Sequence, residues 1–160
     1  MKTLVAYFST SGVTAKVAKK LANAIGADLY DICPAKPYTR ADQDWTNKQS
    51  RSSVEMNDKS CRPKLLDHAA PVAGADVIFV RFPVWWYREP SIIDSFLEAY
   101  DFSGKKIIPF ATSGGSDLGT EAPARMSEIS GTKVLPGKRF ASGVSTAELK
   151  AWADQVLEDA

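Results

Sequence analysis

Short apolar runs alternate with helix-forming patterns along the whole of this 160-residue chain. Such runs are typical of buried strands, whereas apolar residues recurring every three or four positions are typical of helices packed on one face. The alternation predicts an α/β fold with one parallel sheet, helices on both of its faces and right-handed connections. The predicted strands are Leu4–Phe8, Asp28–Ile32, Asp76–Val80, Lys106–Ala111 and a fifth that begins at Lys133–Leu135 and resumes after Pro136 and Gly137.

Two of these strands carry signals about their place in the sheet. After Asp76 the third run is entirely apolar. This predicts a central strand that is buried on both faces. Pro109 interrupts the fourth run and has no backbone N–H to donate, which weakens the case for a central position there.

Several residues mark where the helices begin and end. Gly26 ends the first helix, as glycine often does. Pro90 opens a helix between the third and fourth strands, because proline suits a first helical turn. A weaker helix is predicted over about 118–129. Ser145 and Glu148 form a capping box at the start of the last helix.

The stretch from Pro34 to about Gly74 is long and polar for a single connection between strands. One interpretation is a solvated excursion that carries a weakly periodic helix at about 45–57. The alternative is a functional cover, since long loops in compact domains often have that role. In that case the segment folds over a ligand, with Trp45 as an anchor. The only histidine, His68, is predicted to lie on the solvated surface.

Length and composition exclude several classes of protein. The length predicts one domain over residues 1–160. A net charge of +1 gives no strong field for nucleic acid or an anionic membrane, and no apolar run is long enough to span a bilayer. Met1-Lys2-Thr3 leads straight into a strand, so no signal peptide is predicted. Cys33 and Cys61 are too widely spaced for a metal or redox motif, which predicts free thiols and a cytoplasmic location.

A loop rich in hydroxyl groups follows the first strand and leads into the first helix. The free N–H groups and the dipole of a helix N-terminus favour an anion, and a glycine lets the backbone approach it closely. Phosphate is the natural ligand for such a loop, although an ordinary capped turn has a similar composition. The loop residues are Ser9, Thr10, Ser11, Gly12, Val13 and Thr14.

Two further loops should lie beside it, because ligands of such sheets bind outside the carboxyl ends of the strands. The loop after the third strand offers flat apolar faces, and the loop after the fourth offers N–H groups unobstructed by side chains. A flat aromatic molecule that carries a phosphate fits this combination, and flavin mononucleotide (FMN) is such a molecule. The alternatives are core aromatic residues and a plain turn. The two loops are Pro83, Val84, Trp85, Trp86 and Tyr87, and Thr112, Ser113, Gly114, Gly115 and Ser116.

Four segments resemble those of flavodoxin-like proteins, in particular the short bacterial ones with a Pro-Val/Ile-Trp-Trp loop. The resemblance extends from Met1 to about Phe140. It implies a flavodoxin-like three-layer α/β/α sandwich with a five-stranded parallel sheet of order 2-1-3-4-5 and FMN bound without a covalent link. The resembling segments are Thr10–Thr14, Phe82–Trp86, Phe102–Lys105 and Thr112–Ser116.

The resemblance also implies a role for each of the three loops. Ser9–Thr14 would hold the phosphate, Pro83–Tyr87 would pack on the ring, and Thr112–Ser116 would meet its other edge. The chain departs from the family pattern at Tyr87, where a small residue is common, and at Arg81, where an apolar or small one is common. Arg81, Arg88 and Glu89 could guide a substrate or a pyridine nucleotide, or could form a surface ion pair.

Three functions are compatible with these features. The first is an FMN-dependent oxidoreductase that takes electrons from NAD(P)H and passes them to a small acceptor such as a quinone. The second is an electron carrier that docks on redox partner proteins. The third is a non-redox FMN-binding module. No side chain is predicted to act as an obligatory acid or base, because the flavin itself does the redox chemistry.

Overall fold

A computed structural model describes residues 2–10, 12–112, 118–119, 121–141 and 143–159. Helices and strands alternate along the chain in the predicted sequence. The strands are β1 (Thr3–Tyr7), β2 (Asp28–Asp31), β3 (Val77–Arg81), β4 (Lys106–Thr112), β5 (Lys133–Val134) and β6 (Lys138–Phe140). The helices are α1 (Gly12–Ile25), α2 (Arg51–Asn57), α3 (Ser91–Ala99), α4 (Glu121–Ser130) and α5 (Thr146–Asp159).

The strands form one parallel sheet of order β2-β1-β3-β4-β5, with β6 also paired to β4. This confirms the predicted order and the split of the last strand. Tyr7 lies opposite Arg81, and Arg81 lies opposite Phe110. The carboxyl ends of β1, β3 and β4 are therefore neighbours along one edge of the sheet.

Two cores lie on the two faces of the sheet, because successive residues of a strand point to opposite sides. In β3, Ile78 and Val80 belong to the core on one face, whereas Val77 and Phe79 belong to the core on the other. Helices α3 and α4 cover the first face, and α1 and α5 cover the second. The prediction that β3 is buried on both faces is confirmed.

The helix signals in the sequence hold at the end of α1 and at the start of α5, and they fail at the start of α2. Gly26 follows α1 with a φ of 66°, the left-handed conformation that glycine accepts most easily. The Glu148 N–H donates to Ser145 Oγ at 3.1 Å, as in a capping box. Helix α2 begins at Arg51 rather than near Trp45, because Ser50 caps it by accepting a hydrogen bond from the Ser53 N–H.

Pro109 lies in the interior of the sheet, so the doubt about a central position for β4 was wrong. The Leu135 N–H donates to the Ile107 carbonyl at 2.9 Å. The nitrogen of Pro109, two residues later, therefore faces the same side. On that side β5 ends at Val134 and β6 begins at Lys138, so the missing donor coincides with a break in the neighbouring strand.

The long stretch between β2 and β3 is closed at its base by its own two ends. Pro34 and Leu65 form an antiparallel bridge, and the Leu66 N–H donates to the Cys33 carbonyl at 2.8 Å. Both cysteines are free thiols, and His68 is exposed, as predicted. In the part of the chain that the structure describes, no helix is long and apolar enough to cross a membrane.

We predict that Gly137→Ala destabilises the fold by about 1–3 kcal/mol, the usual range for overpacking. A Cβ on Gly137 would lie 2.1 Å from the Pro109 carbonyl oxygen and 2.2 Å from Leu118 Cδ2. Urea unfolding midpoints would measure the effect. Gly143→Ala is the matched control, since its Cβ would meet no atom within 4 Å. Equal stability of the two variants would contradict the close packing at Gly137.

Candidate functional site

The junction between β1 and α1 lies at the carboxyl edge of the sheet. Phe8 continues β1 with an N–H donated to the Arg81 carbonyl at 2.9 Å, and α1 begins four residues later at Gly12. Ser9 and Thr10 lie between these two points, so the predicted phosphate loop starts where a helix N-terminus faces the edge. Ser11 and the side chains of Val13 and Thr14 lie outside the described residues.

A pocket of about 300 Å³ opens beside Ser9 and Thr10, on the β2 side of β1. Its walls are mostly apolar, and Cys33 and Asp31 line its polar part. Burial, together with the charge of Asp31, raises the pKa of the Cys33 thiol to about 11. The remaining lining residues are Phe8, Ile32, Pro34, Ala35, Pro37, Tyr38 and Leu66.

The loop after β3 forms a two-residue turn. The Trp85 N–H donates to the Arg88 carbonyl at 3.0 Å, and the Arg88 N–H donates to the Trp85 carbonyl at 3.1 Å. The two central residues, Trp86 and Tyr87, have φ values of 48° and 66°. Such positive values are normal for glycine or asparagine in this turn and are costly for bulky residues. We call residues 85–88 the aromatic turn.

The aromatic turn divides its large side chains between the core and solvent. Trp85 packs against Phe8 and Tyr38 edge to face, with ring centroids 5.8 and 5.5 Å apart. Trp86 is 37% exposed and Tyr87 is 80% exposed. The interpretation of all three side chains as core is therefore wrong for Tyr87 and right in part for Trp85.

Trp45 meets the aromatic turn at a second pocket, of about 340 Å³. Trp45, Val84, Trp85, Trp86 and Tyr87 line it. Trp45 comes from the long stretch between β2 and β3, and 75% of its surface is exposed. The stretch therefore reaches the edge of the sheet where the ligand was predicted, and four aromatic side chains surround one opening.

Tyr38 is one of the residues near the site that the sequence did not indicate. Its hydroxyl donates to Glu55, its ring lies 3.9 Å below the Arg51 guanidinium, and Arg51 pairs with Glu55 at 2.9 Å. Burial and the bond to Glu55 raise the pKa of Tyr38 well above its usual value. Tyr38 and Phe8 line the first pocket and Trp85 lines the second, so these three rings form a wall between the two pockets.

The third predicted loop is described only at its first residue. Thr112 is the last residue of β4, and its backbone pairs with Phe140 of β6. Its side chain and residues Ser113, Gly114, Gly115 and Ser116 lie outside the described residues. The end of β4 lies beside the end of β3, which places the start of this loop next to the aromatic turn.

Arg81, Arg88 and Glu89 do not form a surface ion pair. Arg81 is fully buried and donates to the Phe8 carbonyl at 2.7 Å, and burial lowers its pKa to about 10. Arg88 and Glu89 are 2% and 0% exposed. All three side chains are therefore buried behind the edge of the sheet. The hypothesis that they contact a substrate directly is not supported.

A buried ionic cluster lies behind the aromatic turn. Arg88 donates to the carbonyl oxygens of Met56 and Glu89, and its guanidinium lies 3.6 Å from Asp94. Arg125 pairs with Asp94 at 2.8 Å and with Glu89 at 3.2 Å. Helices α2, α3 and α4 are therefore tied to the turn. The sequence signal for this cluster was an Arg-Glu pair directly after an aromatic run.

The arrangement defines a class of α/β protein in which the loop after β3 and the long stretch after β2 form an aromatic opening at the carboxyl edge of a doubly wound sheet. Residues 2–156 of the chain match the family model that is described as flavodoxin. The chain therefore belongs to the flavodoxin family. A comparison with curated proteins gave no match.

Three solved structures are similar over nearly the whole chain. A candidate flavoprotein from Bacteroides eggerthii DSM 20697 is 43% identical, with a TM-score of 0.89 and coverage of 98% of both chains. One from Bacteroides uniformis ATCC 8492 is 45% identical, with a TM-score of 0.89 and coverage of 96% of this chain and 97% of that one. A flavoprotein from Lactobacillus acidophilus NCFM, in complex with FMN, is 21% identical, with a TM-score of 0.71 and coverage of 95% and 98%.

We predict that Tyr87→Gly stabilises the protein by about 0.5–1 kcal/mol. A left-handed conformation costs a residue with a Cβ roughly 1–2 kcal/mol, and the flexibility of glycine in the unfolded chain offsets part of that gain. Urea unfolding midpoints would measure the change. Tyr87→Ala is the matched control, because it removes the ring and keeps the Cβ. A glycine variant no more stable than the alanine variant would contradict the inference of strain.

Proposed function

We propose that this protein binds FMN at the carboxyl edge of its sheet and acts in the cytoplasm as an oxidoreductase. In this proposal its electrons come from NADH or NADPH and go to a small acceptor such as a quinone. Membership of the flavodoxin family and the FMN complex of the similar Lactobacillus acidophilus flavoprotein support the choice of cofactor. The whole chain, residues 1–160, would act as one FMN-binding domain.

The observation that carries the proposal is the juxtaposition of a helix N-terminus and an aromatic opening on one edge. The start of α1 suits a phosphate because of its free N–H groups and its dipole. The part of the opening that Trp85 and Trp86 line suits a flat ring. In the proposed site Ser9–Thr14 hold the phosphate, Pro83–Tyr87 pack on the ring and Thr112–Ser116 donate to its edge.

The chain's own residues would bind and orient the cofactor. Flavin, when bound, would accept a hydride and pass the electrons on, and the surrounding hydrogen bonds and charges would tune its potential. The wall of Phe8, Tyr38 and Trp85 would fix the floor of the ring site, because each ring packs on the other two. The Arg51–Glu55 pair would hold Tyr38 in that wall.

A flavodoxin-type electron carrier is the second candidate. The exposed Trp86, Tyr87 and Trp45 beside the pocket favour it, since a protein partner could cover this aromatic surface. The net charge of +1 favours the enzyme, because carriers usually rely on strong charge of one sign to speed their encounters. A non-redox FMN-binding module would bind FMN with no turnover.

We predict that the double variant Ser11→Ala with Thr14→Ala binds FMN more weakly by a few kcal/mol, since each hydrogen bond to a charged group contributes about 1.5–3 kcal/mol. Quenching of FMN fluorescence on titration with protein would measure affinity. Ser60→Ala with Ser103→Ala is the matched control, because both hydroxyls are exposed and bond only to neighbouring aspartates in the described part of the chain. Unchanged affinity would rule out the phosphate assignment.

An anaerobic visible spectrum of the FMN-saturated protein separates the candidate functions. We expect the flavin band to bleach promptly when NADH or NADPH is added, and the better donor identifies the nucleotide. A flavin that stays oxidised with both donors would contradict the oxidoreductase and favour the carrier or the binding module. No bound flavin at all would overturn the assignment of all three loops.

We predict that Trp45→Ala changes the preference among acceptors by several-fold and leaves FMN affinity nearly unchanged. Trp45 lines the opening from outside and is mostly exposed, so it contacts what enters rather than the cradle at α1. Steady-state rates with quinones of increasing ring size would give the preference. Val54→Ala, an exposed apolar residue of the same long stretch that lines neither pocket, is the control. An unchanged acceptor profile would contradict the role of Trp45 as a cover.

A further inference from the structure

The cluster behind the aromatic turn contains two carboxyl groups with unusual surroundings. Glu89 and Asp94 are both 0% exposed. One guanidinium serves both, since Arg125 Nε lies 3.2 Å from Glu89 Oε2 and Arg125 Nη2 lies 2.8 Å from Asp94 Oδ2. The second oxygens, Glu89 Oε1 and Asp94 Oδ1, have no donor among the described residues. Buried oxygens without a donor are rare in proteins and call for an explanation.

Arg125 holds the two carboxyl groups close together, since its guanidinium contacts one oxygen of each. Ionised carboxylates are acceptors only, so a hydrogen bond between two of them requires a proton on one. A single proton shared between Glu89 Oε1 and Asp94 Oδ1 would give both of these buried oxygens a partner. It also removes one of two like charges that would otherwise face each other in a buried site.

We propose that Glu89 and Asp94 share one proton in the folded protein, and that this pair is the positioning element that fixes the aromatic turn. The connection is Arg88. Its backbone closes the turn with Trp85, while its side chain is held between the Met56 carbonyl and Asp94 Oδ2. The effect on flavin rests on the proposed function, whereas the shared proton and the geometry of the turn do not.

The charged groups around the pair come from every element packed on it. Arg88 enters from the turn, Arg125 from α4, and Arg62 from the stretch before β3 with a distance of 3.7 Å to Asp94 Oδ2. Helix α3 adds Glu98, which pairs with Arg62, and α2 adds the Met56 carbonyl. Removing the shared proton would place a second full negative charge between Arg88 and Arg125, so both guanidinium groups would move toward it and Arg88 would pull on the turn.

Burial is the main reason why the pair keeps its proton at neutral pH. Burial first and the neighbouring Asp94 second raise the pKa of Glu89 from 4.5 to about 9, against the opposing charge of Arg125. Between these two values the folded chain binds a proton that the unfolded chain has released. The pair therefore costs stability progressively as the pH rises from about 4.5 toward 9, with no further loss above that range.

The first test uses the wild-type protein and needs no flavin. Unfolding by urea near neutral pH, in a weakly buffered solution, should release one proton per chain. Exposed carboxyl groups are ionised in both the folded and the unfolded chain at this pH, so they do not contribute to that release. In parallel, urea midpoints should fall with rising pH in the wild type and much less in Glu89→Gln, whose amide donates to Asp94 at every pH. Glu98→Gln is the control, since it removes an exposed carboxylate of the same cluster and should follow the wild type. No proton release would overturn the proposal.

The second test reads the turn itself. The Trp85 and Arg88 N–H groups are bonded across the turn, so their hydrogen exchange reports its opening. After correction for intrinsic rates, we expect protection to fall as the pH approaches 9 in the wild type and in Glu98→Gln, and to stay constant in Glu89→Gln. Asp94→Asn provides the same comparison if the glutamine variant does not fold. Identical profiles in all variants would overturn the positioning role.

FMN affinity gives a third profile that keeps the two proposals apart. We expect the affinity of the wild type for FMN to fall about tenfold as the pair loses its proton. A tenfold change is what a shift of one unit in the pKa of the pair on FMN binding would produce. Over the same pH range, the FMN affinity of Glu89→Gln should vary less than the FMN affinity of Glu98→Gln. FMN bound equally well across the range by all three proteins would overturn the positioning role and leave FMN binding intact. Absence of FMN binding would contradict the proposed function. The measurements of proton release and hydrogen exchange would still test whether Glu89 and Asp94 share a proton.

Discussion

Burial of the central strands on both faces is the constraint on which the rest of the structure depends. Because β1, β3 and β4 send alternate residues into two cores, they must be covered by helices on both sides, and their connections must all cross in the same sense. The carboxyl ends of the three strands then share one edge. The loops that follow these strands therefore begin side by side along that edge, and the proposed ligand site is a consequence of this arrangement.

The long stretch between β2 and β3 is attached to this edge of the sheet by a few polar and aromatic contacts. Its base is closed by the Pro34–Leu65 bridge, and its first half is held by the grouping of Arg51, Glu55 and Tyr38. Tyr38 thereby joins Phe8 and Trp85 in one aromatic wall, and Trp45 reaches the opening beyond it. A polar stretch that looked weakly structured thus supplies residues that line both pockets at this edge.

Periodicity and capping residues were enough to predict the parallel sheet and the caps of α1 and α5, because these features follow from local backbone preferences and from burial, whereas the strand order was implied by the resemblance to flavodoxin-like proteins. It was not enough for β4, because the cost of Pro109 disappears only where a neighbouring strand breaks opposite it. Tyr38 and the cluster of Glu89, Asp94 and Arg125 also escaped prediction. Their partners are distant in sequence, and a charged residue beside an aromatic run is normally solvated. Such residues become visible only when three or four elements converge.

The aromatic turn concentrates two costs that a chain selected for stability alone would avoid. Trp86 and Tyr87 occupy left-handed conformations that a glycine would adopt without strain, and Arg88 and Asp94 are charges withdrawn from water. The two costs depend on each other, because the buried cluster holds Arg88 and Arg88 closes the turn in its strained form. Local strain persists only where the surroundings over-determine it. The buried cluster is therefore best understood as the support that keeps large aromatic rings at the mouth of the proposed flavin site.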